Sequence, residues 1–386
     1  MTSPLPSGPD QMRPASTATP SDAMQWRRLT GRALRLELGG TLPWVDVAYE
    51  TYGRLDPDAG NAVLVCHALT GDSHAAAHDV TASPRGWWEG LIGPGRALDT
   101  RRYFVICPNV LGGCRGTTGP RSPHPDGSGR YGARFPLITI GDMVKVQHRL
   151  LRQLGVRRLA LVVGGSMGGM QALEWAVRYP EAVHRAAVFA APARTGALAI
   201  ALSEVQRQAI LRDPGWLDGN YEEGEGPTAG LGLARMVGMI SYQGESALER
   251  RFGRRSEGNA GGAAALRRTF AVESYLRHQG RKLVARFDAT SYLYLLRAID
   301  LFDVSSGRGT LDEALARIRA RLLVVGVSSD TLYPPEQQRD LATSLFCLGK
   351  RVRYAELESP WGHDAFLLET EAVGNLLEAV LSDAAW

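Results

Sequence analysis

The chain has 386 residues, 44% of them hydrophobic and 22% charged, with a net charge of +4. This length buries a large core and predicts one catalytic core carrying a sizeable insertion. The arginines are scattered among acids, so no nucleic-acid partner is expected, while the small basic excess mildly favours an anionic small molecule. Residues 1 to about 25 are rich in Ser, Pro, Thr and Ala, which predicts a disordered tail over 1–28. Leu34-Arg35-Leu36-Glu37-Leu38 and Val45-Asp46-Val47-Ala48-Tyr49 both alternate, with Gly39-Gly40 between them, which predicts an antiparallel hairpin. The pattern then changes to continuous apolar runs at Ala62–Cys66, Phe104–Cys107, Leu159–Val163, Ala186–Phe189 and Leu322–Val325. Such runs suit strands covered on both faces, hence a parallel sheet.

Helical stripes separate these runs. Met143, Gln147, Leu150, Leu151 and Leu154 form one, stopped at Gly155, and Met170, Leu173, Ala176 and Val177 form another, ending before Pro180. Strand alternating with helix is the doubly wound α/β pattern. The rhythm breaks after Pro192. From 192 to 312 the patterns are helical, with loops at 219–227 and Gly258–Gly262, and this stretch reads as a helical lid inserted between core segments 29–191 and 313–386. Cys66, Cys107, Cys114 and Cys347 show no metal spacing, so no metal site is expected, and they suit a reduced cytoplasmic compartment. No apolar run is long enough for a membrane span, and the first residues lack the apolar core of an export signal.

Val162-Val163-Gly164-Gly165-Ser166-Met167-Gly168-Gly169-Met170 sets a serine between a buried strand and a helix, the context of a nucleophile elbow in the α/β-hydrolase fold. A phosphate loop would need a lysine there, and none is present. A serine hydroxyl needs a base, and the base an orienting acid, following in the order serine, acid, histidine. His184 comes too early and His278 falls in the expected lid. His363, in a loop between a strand and the last helix, is where the base belongs. Asp330 follows the strand Leu322–Val327; alone it reads as a loop or cap aspartate, and with Ser166 and His363 it becomes the favoured acid. The oxyanion donors are expected to be the backbone N–H groups of Met167 and of Leu69, in the loop His67–Asp72. His67 itself reads as a residue that shapes that loop.

Several segments resemble the homoserine O-acetyltransferase family: His67–Asp72, Asn109–Pro120 with its Gly-Gly-Cys-Arg-Gly-Thr-Thr-Gly loop, Gly164–Ala176, Ala234-Arg235-Met236, Ser329-Asp330 and Gly362-His363-Asp364. The resemblance runs in order from about residue 30 to the end. It implies an acyl group passed from acyl-CoA to the serine and then to the side-chain hydroxyl of L-homoserine, in methionine synthesis, by a cytoplasmic homodimer joined through its lid. Acetyl-CoA is then a co-substrate, and no cofactor is expected. The same resemblance makes Ser166, Asp330 and His363 the triad and adds Arg235 and Asp364 as substrate contacts. On residues alone, Arg235 reads as a solvated charge and Asp364 as a helix N-cap. An arginine can hold an amino acid's carboxylate with two parallel hydrogen bonds, and a carboxylate can hold its ammonium. Family members that use succinyl-CoA tend to carry arginine at the position matching Leu332; leucine here implies acetyl-CoA. The 113–119 loop is expected to be structural. Succinyl transfer, serine as acceptor, and a plain serine esterase or thioesterase stand as alternatives, because water and an alcohol attack the same acyl-enzyme. A non-catalytic binding protein is disfavoured by the intact serine, acid and histidine.

Overall fold

The computed structural model describes residues 23–78, 85–222, 224–257 and 269–382. Strands β1 (Gln25–Arg28), β2 (Leu34–Arg35), β3 (Thr41–Leu42), β4 (Asp46–Tyr52), β5 (Ala62–Cys66) and β6 (Phe104–Pro108) precede helix α1 (Ile140–Gln153). Then come β7 (Leu161–Gly165), α2 (Met167–Arg178) and β8 (Arg185–Phe189). A run of helices follows: α3 (Ala197–Leu211), α4 (Thr228–Tyr242), α5 (Glu245–Arg251), a short ribbon of β9 (Ser256–Glu257) and β10 (Thr269–Phe270), then α6 (Ala271–Val284), α7 (Ala289–Asp300) and α8 (Leu311–Ala316). The chain ends with β11 (Arg321–Val327), α9 (Pro335–Cys347), β12 (Val352–Leu357), α10 (Ala365–Leu368) and α11 (Thr370–Leu381).

Eight strands form one sheet in the order β1-β4-β6-β5-β7-β8-β11-β12. Every pair from β6 to β12 is parallel, and β4 is antiparallel to both β1 and β6. The five apolar runs are all central strands of this sheet, which makes the fold an α/β-hydrolase type. Their side chains alternate between two cores. Leu64, Val162, Val188 and Val324 pack under α1, α2 and α9; Val63, Val163, Ala187 and Val325 pack on the face covered by Trp88, Phe366 and α11.

Two expectations are corrected. The hairpin does not join Leu34–Leu38 to Val45–Tyr49: Gly39 and Gly40 turn the chain so tightly that Leu34–Arg35 pairs with Thr41–Leu42 instead. Strand β4 is buried on both faces and enters the main sheet, where β1 caps its edge. Residues 25–28 are therefore a strand rather than part of the tail expected over 1–28; residues 1–22 of that tail, and the Gly258–Gly262 loop, lie outside the described residues. The exposed backbone edge of β4 supplies the hydrogen bonds that the polar composition of 25–28 conceals.

Helices α3 to α7 occupy the interval between β8 and β11. Helix α7 packs into the main core through Tyr292, Leu295 and Leu296, so this layer is anchored to the sheet. Gly362, at φ +65°, shows how close the layer comes: a Cβ there would lie 2.5 Å from Gly244 N and 2.8 Å from Tyr242 O. The loop that carries His363 thus rests directly on the backbone at the end of α4. None of the described helices is long and apolar enough to cross a membrane.

Candidate active site

Strand β7 hands over to α2 at Ser166, whose backbone sits at φ 57° and ψ −126°. This region is costly for a residue with a side chain and persists only where the surroundings impose it. Here the Ser166 N–H donates to Phe189 O on β8 at 2.9 Å, and the flanking glycines let the turn close. A Cβ on Gly168 would stand 2.1 Å from Cys66 O, and one on Gly164 2.5 Å from the Gly168 backbone. Ser166 is 8% exposed at the N-terminus of α2, where helix N–H groups lack intrahelical partners and favour negative charge. Met167 is the first residue of that helix.

Asp330 and His363 come from the loops after β11 and β12, neighbouring parallel strands, so both side chains reach the same end of the sheet. His363 Nδ1 lies 2.7 Å from Asp330 Oδ2. Since the carboxylate accepts, Nδ1 carries the proton and the Nε2 lone pair is left for other work. The other oxygen of Asp330 accepts from the Leu332 and Tyr333 N–H groups at 2.9 and 3.0 Å, which fixes the carboxylate. Ser329 Oγ ties the two loops together by donating to Ser359 O and accepting from Gly362 N. His363 is 3% exposed among the rings of Tyr242, Tyr333 and Phe366. Its buried Nε2 has no hydrogen-bond partner among the described residues. Burial pulls the imidazole pKa down, but the charge and hydrogen bond of Asp330, helped by Asp364, outweigh it and leave the pKa above the ordinary 6.5.

The loop after β5 carries Leu69 in a turn closed by Gly71 N donating to Ala68 O. His67 shapes this loop: its Nε2 accepts from Val110 N at 3.1 Å while Nδ1 donates to Ala68 O at 2.8 Å. Both nitrogens are engaged, and burial holds the ring below its ordinary pKa, so His67 is neutral and unavailable as a base. Sequence reasoning missed Gln171, which donates to both His67 O and Met167 O. One side chain thus holds together the two segments expected to supply oxyanion donors. Gln147 on α1 donates to Gln171 and accepts from Trp175 Nε1. Nothing in the periodicity separates this buried glutamine from an ordinary core-facing position.

Arg235 stands on α4 with its guanidinium 5.6 Å from the centre of the Tyr242 ring, and that ring is 5.8 Å from His363. Asp364 accepts from Gln243 at 3.1 Å. Burial raises the Asp364 pKa, with Arg235 and His363 acting against it. Arg235 from the helical layer and Asp364 beside His363 therefore stand close enough for their charges to act on each other. Leu332 is half-buried against the main core beside Asp330. The 113–119 loop is pinned to β4, with Thr117 and Thr118 hydroxyls accepting from Ala48 and Asp46 N–H groups. Thr117 and Thr118 thus serve a structural role. Among the described residues there is no cluster of three His, Cys, Asp or Glu able to hold a metal.

The structure thus holds a buried serine in a strained strand-to-helix turn and, in the loop after β12, a histidine oriented by Asp330, with no hydrogen bond between Ser166 and His363 Nε2. Residues 61–370 match the family model for the alpha/beta hydrolase fold. A homoserine O-acetyltransferase of Symbiobacterium thermophilum is 51% identical over 371 residues, covering 95% of this chain and 94% of the relative. Among solved structures, homoserine O-acetyltransferase from Bacillus anthracis is similar at 30% identity and a TM-score of 0.87, over 95% of this chain and 99% of the other. Esterase E22 is similar at 29% identity and a TM-score of 0.84, over 93% and 100%. On the extent and continuity of these matches, the chain belongs to the homoserine O-acetyltransferase family of α/β hydrolases.

Proposed function

We propose that this chain transfers an acetyl group from acetyl-CoA to the side-chain hydroxyl of L-homoserine through an acetyl-Ser166 intermediate, a step in methionine synthesis. His363 Nε2 takes the Ser166 proton as Oγ attacks the thioester carbonyl. The tetrahedral oxyanion is held by the Leu69 and Met167 N–H groups, and its collapse expels the CoA sulfur, which takes the proton from His363. The homoserine hydroxyl then gives its proton to Nε2 and attacks the acyl-enzyme; a second collapse releases the ester and restores Ser166. The observation that carries this reading is the oriented, otherwise unpartnered His363, with Asp364 next to it in the chain and Arg235 across the Tyr242 ring. Those two charges complement the carboxylate and ammonium of a free amino acid. Helices within 192–312 act as the lid that keeps water from the acyl-enzyme.

Exposed apolar residues on α3 and α4, among them Leu198, Val205, Leu233 and Ile240, support pairing of two copies through this layer. The four cysteines are free thiols, which fits a reducing cytoplasm. The test is a product assay with acetyl-CoA and succinyl-CoA against homoserine and serine. It is joined to intact-mass detection of acylated Ser166 and to the rate at which homoserine removes that acyl group. Hydrolysis is the second reading, favoured by the likeness to esterase E22; it predicts that homoserine leaves the loss of acyl-enzyme unchanged.

A further inference from the structure

Arg286 and Arg115 have no part in the mechanism above, yet both stand beside it. Arg286 follows α6 and donates from Nη1 to Thr70 O at 2.8 Å, next to the expected oxyanion residue Leu69. Helices α4 and α6 pack closely, with Gly232 facing Val284 and Gly280, and the charge of Arg235 on α4 acts on Arg286. Arg115 joins from the other side: the adjacent Cys114 sulfur accepts from Asp288 N, two residues beyond Arg286. The Nε and Nη2 of Arg115 are buried without a hydrogen-bond partner among the described residues. Buried guanidinium donors left unmade are costly. Burial and the neighbouring Arg235 and Arg115 charges lower the Arg286 pKa to about 10, with Asp72 opposing them. Asp364 answers Arg235, while Asp288 already has both oxygens engaged by Tyr221 and Ser291. No hydrogen bond or ion pair joins any of these carboxylates to the Nε or Nη2 of Arg115.

We infer that Arg286 and Arg115, together with Arg235, form a subsite for a small carboxylate carried a few bonds from the reacting atom. The inference rests on the acyl-transfer reading. The place of Arg286 excludes the CoA phosphates, because the pantetheine arm holds them far from the thioester. Two carboxylates remain. The α-carboxylate of homoserine and the terminal carboxylate of a succinyl group each lie about 5 Å from the reacting oxygen or carbon at ordinary bond lengths.

Arg286→Met, Arg286→Lys and Arg115→Met are compared with the unaltered enzyme, each checked for folding by circular dichroism and thermal melting. In the first arm, the kcat/KM ratio of L-homoserine to L-homoserinol, its carboxylate-free analogue, is expected to fall at least tenfold in Arg286→Met and Arg115→Met and less in Arg286→Lys. In the second arm, acylation by succinyl-CoA relative to acetyl-CoA is measured by stopped flow. A fall there with no change in the first arm assigns the subsite to the donor. Unchanged ratios in both arms, in folded variants, overturn the subsite. Should homoserine fail to speed deacylation in the unaltered enzyme, the transferase reading fails instead, a separate result.

Discussion

Asp330→Asn tests the His363–Asp330 pair at the atom that matters. The two side chains are 3% and 0% exposed and 2.7 Å apart, so water cannot replace the lost interaction. Asparagine keeps one carbonyl oxygen, enough to accept from the Leu332 and Tyr333 N–H groups that hold Asp330 Oδ1, so the fold should persist. Its amide nitrogen then faces Nδ1, which must accept, and the proton moves to Nε2, where it blocks the base. The matching change in serine proteases costs ~10⁴-fold in kcat, or about 5.4 kcal/mol at 1.36 kcal/mol per tenfold, and a similar loss is expected here.

The pH profile gives a second readout. His363 must be neutral to act, so in the unaltered enzyme the acid limb of kcat/KM lies above 6.5, the direction in which its pKa is raised. Asp330→Asn removes the two strongest raising influences and leaves burial, so the limb moves to lower pH. Linkage carries the same sign. The raised pKa contributes stability that is fully present below the unfolded value and lost as pH rises through the folded one, and the variant should flatten that dependence. Stopped-flow release of CoA thiol across the pH range measures rate and limb together. Activity within tenfold of the unaltered enzyme, or a limb that moves upward, would refute the reasoning.

Ser166→Ala should abolish both the acyl adduct seen by intact mass and nearly all turnover, with an unchanged melting temperature; a persistent adduct places the nucleophile elsewhere. Leu332→Arg should shift kcat/KM toward succinyl-CoA by at least about tenfold, roughly 1.4 kcal/mol, because arginine supplies the charge and the two donors that a buried carboxylate needs. An unchanged ratio in the folded variant removes Leu332 from the acyl pocket. Leu233→Asp should convert a dimer to a monomer in light scattering, and a monomeric unaltered protein rejects pairing through α4.

The central strands and the elbow were legible because each is a local pattern with one physical meaning. A continuously apolar run means burial on both faces, and Gly164-x-Ser166-x-Gly168 after such a run means a turn with no room for a Cβ. Asp330 and His363 followed from chain order and from their places after β11 and β12. Pairings carried by backbone atoms were not legible: β1 is exposed in every residue and polar in all but Trp26, and only the edge of β4 makes it a strand. Nor did any pattern expose Gln171, Tyr242 or Arg286, whose roles depend on segments more than a hundred residues apart meeting in the fold, such as Gln171 with His67 O and Arg286 with Thr70 O.

The choice between transfer and hydrolysis turns on a ratio that the Arg235 and Asp364 charges can supply. Water at roughly 55 M competes with an acceptor at about 1 mM, a ratio on the order of 10⁴–10⁵, so the acceptor needs about 6.5 kcal/mol of extra transition-state binding for parity. Truncating one partner of a desolvated charge pair costs about 2–5 kcal/mol. One such pair is too little and two span the requirement, which matches Arg235 on α4 and Asp364 beside His363. Removing either should therefore change the product before it stops the chemistry. Arg235→Ala is expected to cut homoserine capture of the acyl-enzyme by roughly 30-fold to several-thousand-fold at the same energies. At about 1 mM homoserine most acetyl groups should then leave as acetate rather than as the homoserine ester, a ratio read by chromatography. If the product ratio holds while turnover falls, Arg235 supports the fold or the donor, and the preference over water must come from exclusion by the helical layer alone.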